Sequence, residues 1–357
     1  MGSRLCGRLF FFMFDWVPKR YVAPPTPGWT CAPTSVQGGS MAKLDGVGVA
    51  FCGGGFRSFA EVAVVEDMEK NDVHCATVAG TSMGSLMAAL TASGIGSTRM
   101  AELLVELDNR TVQEGILKNM PLRVLNVFSN HGIVDSQVME GIARDILGEA
   151  GIRTFADFNM PVAVTAVDIM TGDLCVFTND ADLFAATDGS WNVICDPALD
   201  AAKCCSCSAS YPLVISPTKY LGHAFMDGGC RMNLPTPLFD RSMVDAVVGV
   251  GMIRKQKLME DITPLNIAMR TMSCGANQLD KIHANAADLY INLPVSGDDA
   301  FQAGTGEQVI AEARQMLRDD PPDWDAVRPS MLESIRKRAV DAFYGMVRTV
   351  PKSVKLG

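Results

Sequence analysis

Short apolar runs and amphipathic stretches alternate along the chain from about residue 41 onward. Residues 47–52 are an apolar run that leads into three consecutive glycines, the pattern of a buried strand followed by a tight turn. Residues 58–70 place apolar side chains every three or four positions with glutamates between them, which predicts an amphipathic helix. A strand at 77–79 and an apolar helix at 85–93 repeat this order. Strand, turn and helix in succession predict parallel strands joined by right-handed crossovers.

The remaining pattern extends this α/β arrangement, and no internal repeat is visible. Residues 97–150 have helical spacing throughout, and an insert of this kind between core strands predicts a cap over a pocket. Two apolar runs, 161–168 and 174–178, flank Thr171-Gly172-Asp173 and predict a β-hairpin. Further strands are predicted at 221–226, 245–250 and 289–293, and a further helix at 266–287. The predicted fold class is α/β with a mainly parallel sheet.

The two ends of the chain differ from this central region. Residues 9–14 are an apolar run after two arginines, but Asp15 interrupts it and no small-residue cleavage site follows. Residues 18–40 are rich in Pro, Gly, Ser and Thr. We therefore predict a poorly packed N-terminal extension over 1–40, with a membrane or partner anchor and a true start at Met41 as alternatives. Residues 41–295 are predicted to form the main domain and 296–357 a C-terminal helical segment.

Composition narrows the class of protein. The chain has 357 residues, of which 48% are hydrophobic and 20% charged, enough for a sizeable core. Its formal net charge of −9 argues against a nucleic-acid partner, which requires a clustered basic face. Eleven cysteines, an odd number, do not indicate a disulfide framework and favour a reducing compartment. No run reaches the roughly 20 apolar residues of a membrane span. We expect a protein that is cytoplasmic or peripheral to a membrane.

The C-terminus is basic against this acidic background. Residues 331–347 have apolar positions at helical spacing, and six basic side chains lie in or after them: Arg336, Lys337, Arg338, Arg348, Lys352 and Lys355. One interpretation is a helix that packs on the core with a solvated basic face. The other is a transient contact with an anionic membrane surface.

Two glycine-marked strand ends carry groups suited to acyl transfer. In Gly80-Thr81-Ser82-Met83-Gly84 the glycines permit a sharp strand-to-helix turn that exposes Ser82 as a nucleophile. A serine hydroxyl needs a base within hydrogen-bond reach. Asp227 follows another apolar run, and the adjacent glycines, Gly228 and Gly229, permit a tight turn that would aim its carboxylate across the sheet. Asp227 is therefore the candidate general base.

A third glycine-rich segment, at 53–57, follows the first predicted strand. Its backbone amides can supply the preorganised donors that a developing oxyanion requires, and the candidate donors are Gly53, Gly54 and Gly55. Arg57 could add positive potential or hold the loop. The spacing of this segment lacks the third glycine of a dinucleotide-binding loop, because Ser58 occupies that position.

Together these motifs resemble those of the patatin-like phospholipases. Small residues at 207–210 lead into Tyr211-Pro212, and Asn233 and Pro235 follow the Asp-Gly-Gly turn, as in that family. The resemblance covers about residues 45–295. It implies a three-layer α/β/α sandwich and cofactor-free, metal-free hydrolysis of lipid esters of the phospholipase A or lysophospholipase type. It also implies a Ser82–Asp227 dyad that works without histidine and an oxyanion hole in the glycine loop. The family commonly has glycine where this chain has Ser58.

Other interpretations of the same residues remain open. His283 is the only histidine after Asp227, where an α/β-hydrolase would place the base of its triad, although its predicted helix shows no catalytic context. The cysteines at 204–207 have neither a second Cys-x-x-Cys pair nor a histidine nearby in the sequence, so they do not indicate a metal site. A short-chain esterase or thioesterase and a low-turnover lipid- or partner-binding protein are the alternative functions.

Overall fold

The computed structural model describes residues 43–113 and 134–328, apart from positions 187, 257, 260–261 and 298–301. The predicted extension at 1–40 and the predicted basic helix at 331–347 lie outside the described residues. Part of the predicted cap, 114–133, also lies outside them.

The centre of the protein is a sheet in which most neighbouring strands run parallel. Its main order is β5-β4-β3-β2-β1-β8-β9, and β7 pairs with β3 and with β6. The β3–β4 pair is antiparallel and corresponds to the predicted hairpin, whereas β1 is parallel to both of its neighbours. The strands are β1 Val47–Phe51, β2 Cys75–Thr81, β3 Val162–Asp168, β4 Leu174–Thr178, β5 Asn192–Cys195, β6 Thr218–Tyr220, β7 His223–Asp227, β8 Val247–Gly251 and β9 Leu289–Asn292.

Helices flank this sheet, which confirms the predicted α/β class. A 3-10 helix at Gly55–Glu61 leads directly into the first α-helix, and shorter 3-10 turns lie at Phe155–Asp157, Gly228–Cys230, Thr236–Leu238 and Trp324–Val327. The α-helices of the described residues are α1 Val62–Lys70, α2 Met83–Ala92, α3 Ser97–Gln113, α4 Ser136–Glu149, α5 Ala201–Ala209, α6 Pro264–Ala284 and α7 Gly306–Asp319.

Two hydrophobic cores lie on opposite faces of the sheet. Successive side chains of a strand point to opposite faces, and in β1 Val49 and Phe51 join the larger core whereas Ala50 joins the smaller one. The larger core includes buried residues of α1 to α5 and of α7. The smaller core is covered by residues 230–244 and by α6, which has no fully buried side chain among those described. The second helical layer is therefore thin.

The pairing of β7 determines where the candidate residues meet. Strand β2 runs parallel to β3 up to the pair Thr81↔Thr165, and there β2 ends. Strand β7 takes over the same edge of β3 in the antiparallel direction, beginning with the pair Ala166↔Asp227. The carboxyl end of β7 therefore meets the carboxyl end of β2, which places Asp227 beside the turn that holds Ser82.

Some elements do not follow from the hydrophobic pattern. Helix α5 is built almost entirely of Ala, Ser and Cys and is buried on nearly all sides, so it lacks the polar and apolar contrast that reveals an amphipathic helix. The helix predicted from residue 58 begins earlier, as the 3-10 helix at Gly55–Glu61.

Candidate active site

Ser82 occupies a strained turn between β2 and α2. Its backbone has φ 54° and ψ −129°, a conformation that costs a non-glycine residue roughly 1–3 kcal/mol. The two flanking glycines make the turn possible by close packing. A Cβ at Gly80 would lie 2.6 Å from the carbonyl carbon of Gly84, and one at Gly84 would lie 2.6 Å from the carbonyl oxygen of Phe51. The predicted supporting roles of Gly80 and Gly84 therefore have a steric basis.

Two other serines hold the backbone of this turn. The amide of Ser82 donates to the hydroxyl of Ser208 at 2.7 Å, and Ser208 belongs to the small-residue helix α5. The amide and hydroxyl of Ser85 both bind the carbonyl oxygen of Ser82, at 2.9 and 2.6 Å. Because the amide of Ser82 is bonded to Ser208, it is not free to bind a substrate oxygen.

Asp227 is a buried carboxylate at the end of β7, with 1% of its surface exposed. Its Oδ1 accepts a hydrogen bond from the amide of Gly229 at 2.7 Å. Gly228 packs against Thr165, and a Cβ there would lie 2.7 Å from the Thr165 carbonyl oxygen. Burial raises the pKa of Asp227 to about 6, and the nearby Ser82 hydroxyl and the Gly229 amide oppose that rise.

The Ser82 hydroxyl and the Asp227 carboxylate are neighbours. The hydroxyl is close enough to lower the pKa of Asp227, yet the two groups do not form a hydrogen bond of standard geometry, and Oδ2 of Asp227 has no partner among the described residues. Catalytic hydrogen bonds are often loose before substrate binds. A buried acceptor without a partner is costly.

The glycine loop lies beside the Ser82 turn. A Cβ at Gly53 would lie 2.9 Å from Cβ of Ser82, and Gly55 has a left-handed φ of 61°, which favours glycine. The amide of Gly53 donates to the carbonyl oxygen of Asn233 at 3.2 Å. Within the described part of the chain, no backbone carbonyl accepts a hydrogen bond from the amide of Gly54 or of Gly55.

Side chains from the 3-10 helix at Gly55–Glu61 form hydrogen bonds with the backbone of this loop and of Cys52 before it. Nε of Arg57 donates to the carbonyl oxygen of Gly54 at 3.2 Å. The hydroxyl of Ser58, the residue that departs from the family pattern, donates to the carbonyl oxygen of Cys52 at 3.2 Å. The fully buried Glu61 accepts from the amide of Cys52 at 2.9 Å. Ser58 is therefore compatible with the glycine loop, because its hydroxyl binds the backbone of Cys52 directly before that loop.

Asn233 and Asp280 connect the loop to helix α6. Nδ2 of Asn233 donates both to the carbonyl oxygen of Gly53, at 3.2 Å, and to Oδ2 of Asp280, at 3.0 Å. Burial raises the pKa of Asp280 to about 6, although its bond to Asn233 lowers it. Sequence reasoning did not identify Asp280, because an aspartate in the middle of an amphipathic helix carries no distinguishing local pattern.

The described residues show no hydrogen bond between His283, the candidate triad base, and Ser82 or Asp227. Burial lowers the pKa of His283, and a hydrogen bond between its imidazole and the backbone of Leu234 opposes that change. Nδ1 of His283 has no partner in the described structure. Nδ1 of His223 lies 2.7 Å from Oδ2 of Asp168. The cysteines of α5 are free thiols, and no group of metal-ligating side chains is found among the described residues.

A mainly apolar cleft leads to Ser82. Its empty space, about 580 Å³ including the part open to solvent, is lined by side chains from the predicted cap region as well as from the elbow. The lining residues are Gly55, Phe56, Ser82, Met83, Leu107, Thr111, Val134, Met139, Ile142, Ala209, Val214 and Ile215. Apart from Ser82 and Thr111 these are apolar residues or glycine, so the cleft suits a hydrocarbon chain. No helix of the described residues is both long enough and apolar enough to cross a bilayer.

The fold and the site define an α/β protein with a serine at a strand-to-helix elbow and a buried aspartate beside it. The family model of the patatin-like phospholipases matches residues 49–240, more than half of the chain. The chain belongs to the patatin-like phospholipase family. This confirms the resemblance found in the sequence and supports lipid hydrolysis at the level of the family.

Individual relatives are distant. The chain is 28% identical over 222 residues to the uncharacterized protein YqhO of Bacillus subtilis, covering 60% of this chain and 72% of YqhO. It is 23% identical over 208 residues to the uncharacterized protein R571 of Acanthamoeba polyphaga mimivirus, covering 57% and 64%. Among solved structures, VipD from Legionella pneumophila aligns with a TM-score of 0.40 at 12% identity, over 78% of this chain and 66% of VipD. ExoU of Pseudomonas aeruginosa, in complex with SpcU, aligns with a TM-score of 0.38 at 14% identity, over 86% and 61%.

Proposed function

We propose that the protein is a serine lipid acyl hydrolase that cleaves carboxylic ester bonds of phospholipids or lysophospholipids through an acyl-enzyme on Ser82. The observation that carries this proposal is the buried Oδ2 of Asp227, which has no partner among the described residues and lies beside a strained serine that lines an apolar cleft. Strain of this kind persists only where the surrounding structure enforces it, and it clusters at functional sites.

Each step of the proposed reaction uses a group in this site. Asp227 accepts the proton of the Ser82 hydroxyl as Oγ attacks the ester carbonyl, and the amides of Gly54 and Gly55 bind the oxygen that becomes negative. The C–O bond to the alcohol then breaks, and Asp227 returns the proton to the departing alkoxide. In the second half Asp227 takes a proton from water as the water oxygen attacks the acyl-enzyme carbonyl. The bond from that carbonyl to Oγ then breaks, Asp227 gives the proton back to Oγ of Ser82, and the fatty acid is released. No cofactor or metal takes part in this scheme.

The pKa of Asp227 suits this task. A carboxylate with a pKa near 4 is a weak base at neutral pH, whereas burial raises the pKa of Asp227 to about 6. The group is then mostly ionised at pH 7 and binds a proton more strongly than an exposed aspartate does.

The proposal is tested by assaying the purified protein against four substrate classes: phospholipids, lysophospholipids, short-chain nitrophenyl esters and acyl thioesters. Ser82→Ala should reduce hydrolysis of every accepted substrate by about 10³-fold or more. His283→Ala, the matched control for a histidine-based triad, should keep near-normal activity.

The remaining outcomes separate the alternatives. Activity confined to soluble esters or thioesters would identify a short-chain esterase or thioesterase. Lipid binding without Ser82-dependent turnover would identify a binding protein on this scaffold. Loss of activity in a folded His283→Ala protein, equal to that of Ser82→Ala, would replace the dyad with a triad.

A further inference from the structure

Exposed apolar side chains are concentrated at one edge of the sheet. Eight large apolar residues are exposed in the described part of the chain. Seven of them follow the carboxyl ends of strands, or lie at helix ends that meet this edge, and Ile282 near the end of α6 is the exception. Ser82 and the glycine loop lie at the same carboxyl edge, because they follow β2 and β1.

Six of the seven residues form two groups, which together we call the apolar rim. The first group occupies two adjacent hairpin tips and comprises Ile169, Met170 and Leu221, which are 44%, 60% and 45% exposed. The two tips are joined by a hydrogen bond from the amide of Ile169 to the carbonyl oxygen of Ala224, at 2.9 Å. Leu221 has a left-handed φ of 50°, an unfavourable conformation for a bulky residue, and its side chain is only partly covered.

The second group lies between β8 and the first turns of α6. It comprises Leu258, Ile262 and Ile267, which are 94%, 77% and 48% exposed. Helix α6 borders the cleft at this end, since Met269 packs against the cluster of Val134, Val214 and Ile215, all three of which line the cleft. Ile267, two residues before Met269 on α6, is therefore close to the border of the cleft.

The two groups stand on opposite sides of the nucleophile. In the sheet order, β3 and β8 are separated by β2 and β1, a distance of three strand spacings or about 14 Å. Ser82 and the glycine loop follow the two strands in between. Substrate would enter from the surface on which both groups project.

The segment of sequence that contains the second group has more basic than acidic residues, whereas the chain as a whole is acidic. Residues 252–270 contain four basic side chains, Arg254, Lys255, Lys257 and Arg270, against two acidic ones, Glu260 and Asp261, whereas the chain as a whole carries −9. Basic residues next to apolar loop side chains are typical of proteins that bind anionic lipid surfaces.

From this arrangement we infer that the apolar rim docks the protein on a lipid surface, with the mouth of the Ser82 cleft facing the bilayer. The inference rests on the proposed lipid ester hydrolysis and adds the surface by which the enzyme reaches its substrate. Side chains that project from separate loops on both sides of a cleft can each enter the head-group region, and the cleft then continues the apolar path from the membrane to Ser82.

Helix α6 offers a matched pair of variants. Ile267 and Ile282 have the same side chain and similar exposure, 48% and 54%, but lie about 22 Å apart along the helix. Ile267→Asp should weaken binding to vesicles of phosphatidylcholine and phosphatidylglycerol at least about tenfold, because a charge replaces a membrane-inserted side chain. Ile282→Asp should leave binding unchanged. The triple variants Leu258→Ser/Ile262→Ser/Ile267→Ser and Ile169→Ser/Met170→Ser/Leu221→Ser should each reduce binding further.

The experiment separates docking from catalysis. Vesicle co-sedimentation is measured in the Ser82→Ala background, so it does not depend on turnover, and the same rim substitutions are assayed for soluble-ester hydrolysis with Ser82 intact. The expected result is lost vesicle binding with unchanged soluble-ester activity. Absence of Ser82-dependent ester hydrolysis would refute the proposed function without bearing on the co-sedimentation.

Several results would overturn the docking inference. Equal effects of Ile267→Asp and Ile282→Asp on vesicle binding would do so, as would a parent protein that does not bind vesicles. The third such result is a dimer that the rim variants dissociate while vesicle binding persists. Deletion of residues 331–357 is the remaining arm. If it abolishes binding while the rim is intact, and the rim variants do not, the basic C-terminus is the docking surface instead.

Discussion

At the scale of single residues, the central feature is a carboxyl group kept away from water. Asp227 is held by the Gly229 amide on one oxygen, while its other oxygen is buried without a partner in the described structure. Burial raises its pKa to about 6. This burial makes the ionised form of Asp227 costly for the folded protein.

The first prediction concerns the pH dependence of activity. The proposed mechanism needs Asp227 in its ionised form, so kcat/KM for a soluble ester should rise with pH, reach half of its maximum near pH 6 and then level off. The measurement is a pH–rate profile between pH 4.5 and 8.5 with a substrate that does not titrate in that range. A profile still rising in proportion to hydroxide above pH 7.5 would contradict an aspartate base.

The second prediction concerns stability. The folded state holds the proton of Asp227 more tightly than the unfolded chain, whose aspartate has a pKa near 3.8, so stability contributed by the protonated form is lost as pH rises from about 4 to about 6. Asp227→Asn removes that cost, and at pH 7.5 it should raise the free energy of unfolding by up to about 3 kcal/mol while activity is lost.

Thermal or urea unfolding at two pH values tests this prediction. The advantage of the Asp227→Asn protein should shrink at pH 4, where the wild-type carboxyl is also protonated. An Asn variant that is less stable than wild type at pH 7.5 but not at pH 4 would show that the ionised carboxylate stabilises the fold, which contradicts a raised pKa.

At the scale of elements, the site depends on how strand ends meet. Strand β7 occupies the edge of β3 just where β2 leaves it, so the Asp-Gly-Gly turn and the serine elbow are brought together by strand pairing. Helix α6 supports the glycine loop through Asp280 and Asn233. We regard Asp280 as a positioning residue, because it contacts Asn233 and the backbone of Leu234 rather than Ser82 or Asp227.

The third prediction tests this support. Asp280→Ala should lower kcat for a soluble ester about tenfold with little change in KM, because Asn233 loses the partner that orients it toward the Gly53 carbonyl. Asp280→Asn keeps an acceptor oxygen for Asn233 and should retain most of the activity. His283→Ala, one turn along the same helix, is the control for general damage to α6. Equal activity of Asp280→Ala and wild type would remove Asp280 from the account.

The strand ends were predictable from sequence because glycine is required where two backbone segments approach closely, and it can be read directly in the sequence. The elbow around Ser82 and the turn after Asp227 each combine an apolar run with such glycines, and the steric contacts of Gly84 and Gly228 explain why. Helix α5 was not predictable, because a uniformly small and buried helix has no periodic contrast. Asp280 was not predictable either, since its role depends on the packing of α6 against a distant loop.

At the scale of the whole molecule, the apolar cleft lies between the elbow and the helices of the insert. Leu107 of α3 and Ile142 of α4 line it together with Ser82. The sequence predicted a cap over 97–150, and side chains from both described ends of that segment reach the cleft. Acyl-chain length was not predictable, because it depends on how these separate side chains share the space.

The fourth prediction concerns that space. Ile142→Trp should place a larger ring in the cleft and lower the hydrolysis of long-chain nitrophenyl esters about tenfold, while acetate and butyrate esters are hydrolysed at near wild-type rates. The measurement is the ratio of kcat/KM across a series of chain lengths. An unchanged ratio in a folded variant would mean that the acyl chain binds elsewhere.

The most direct test of the central claim is a map of covalent labelling by a fluorophosphonate, which reacts with activated serines. We predict one adduct per chain, located by peptide mass spectrometry on the peptide that contains Ser82, formed much more slowly in Asp227→Asn and at the wild-type rate in His283→Ala. An adduct on a different residue, or labelling of Ser82 that does not depend on Asp227, would contradict the Ser82–Asp227 dyad.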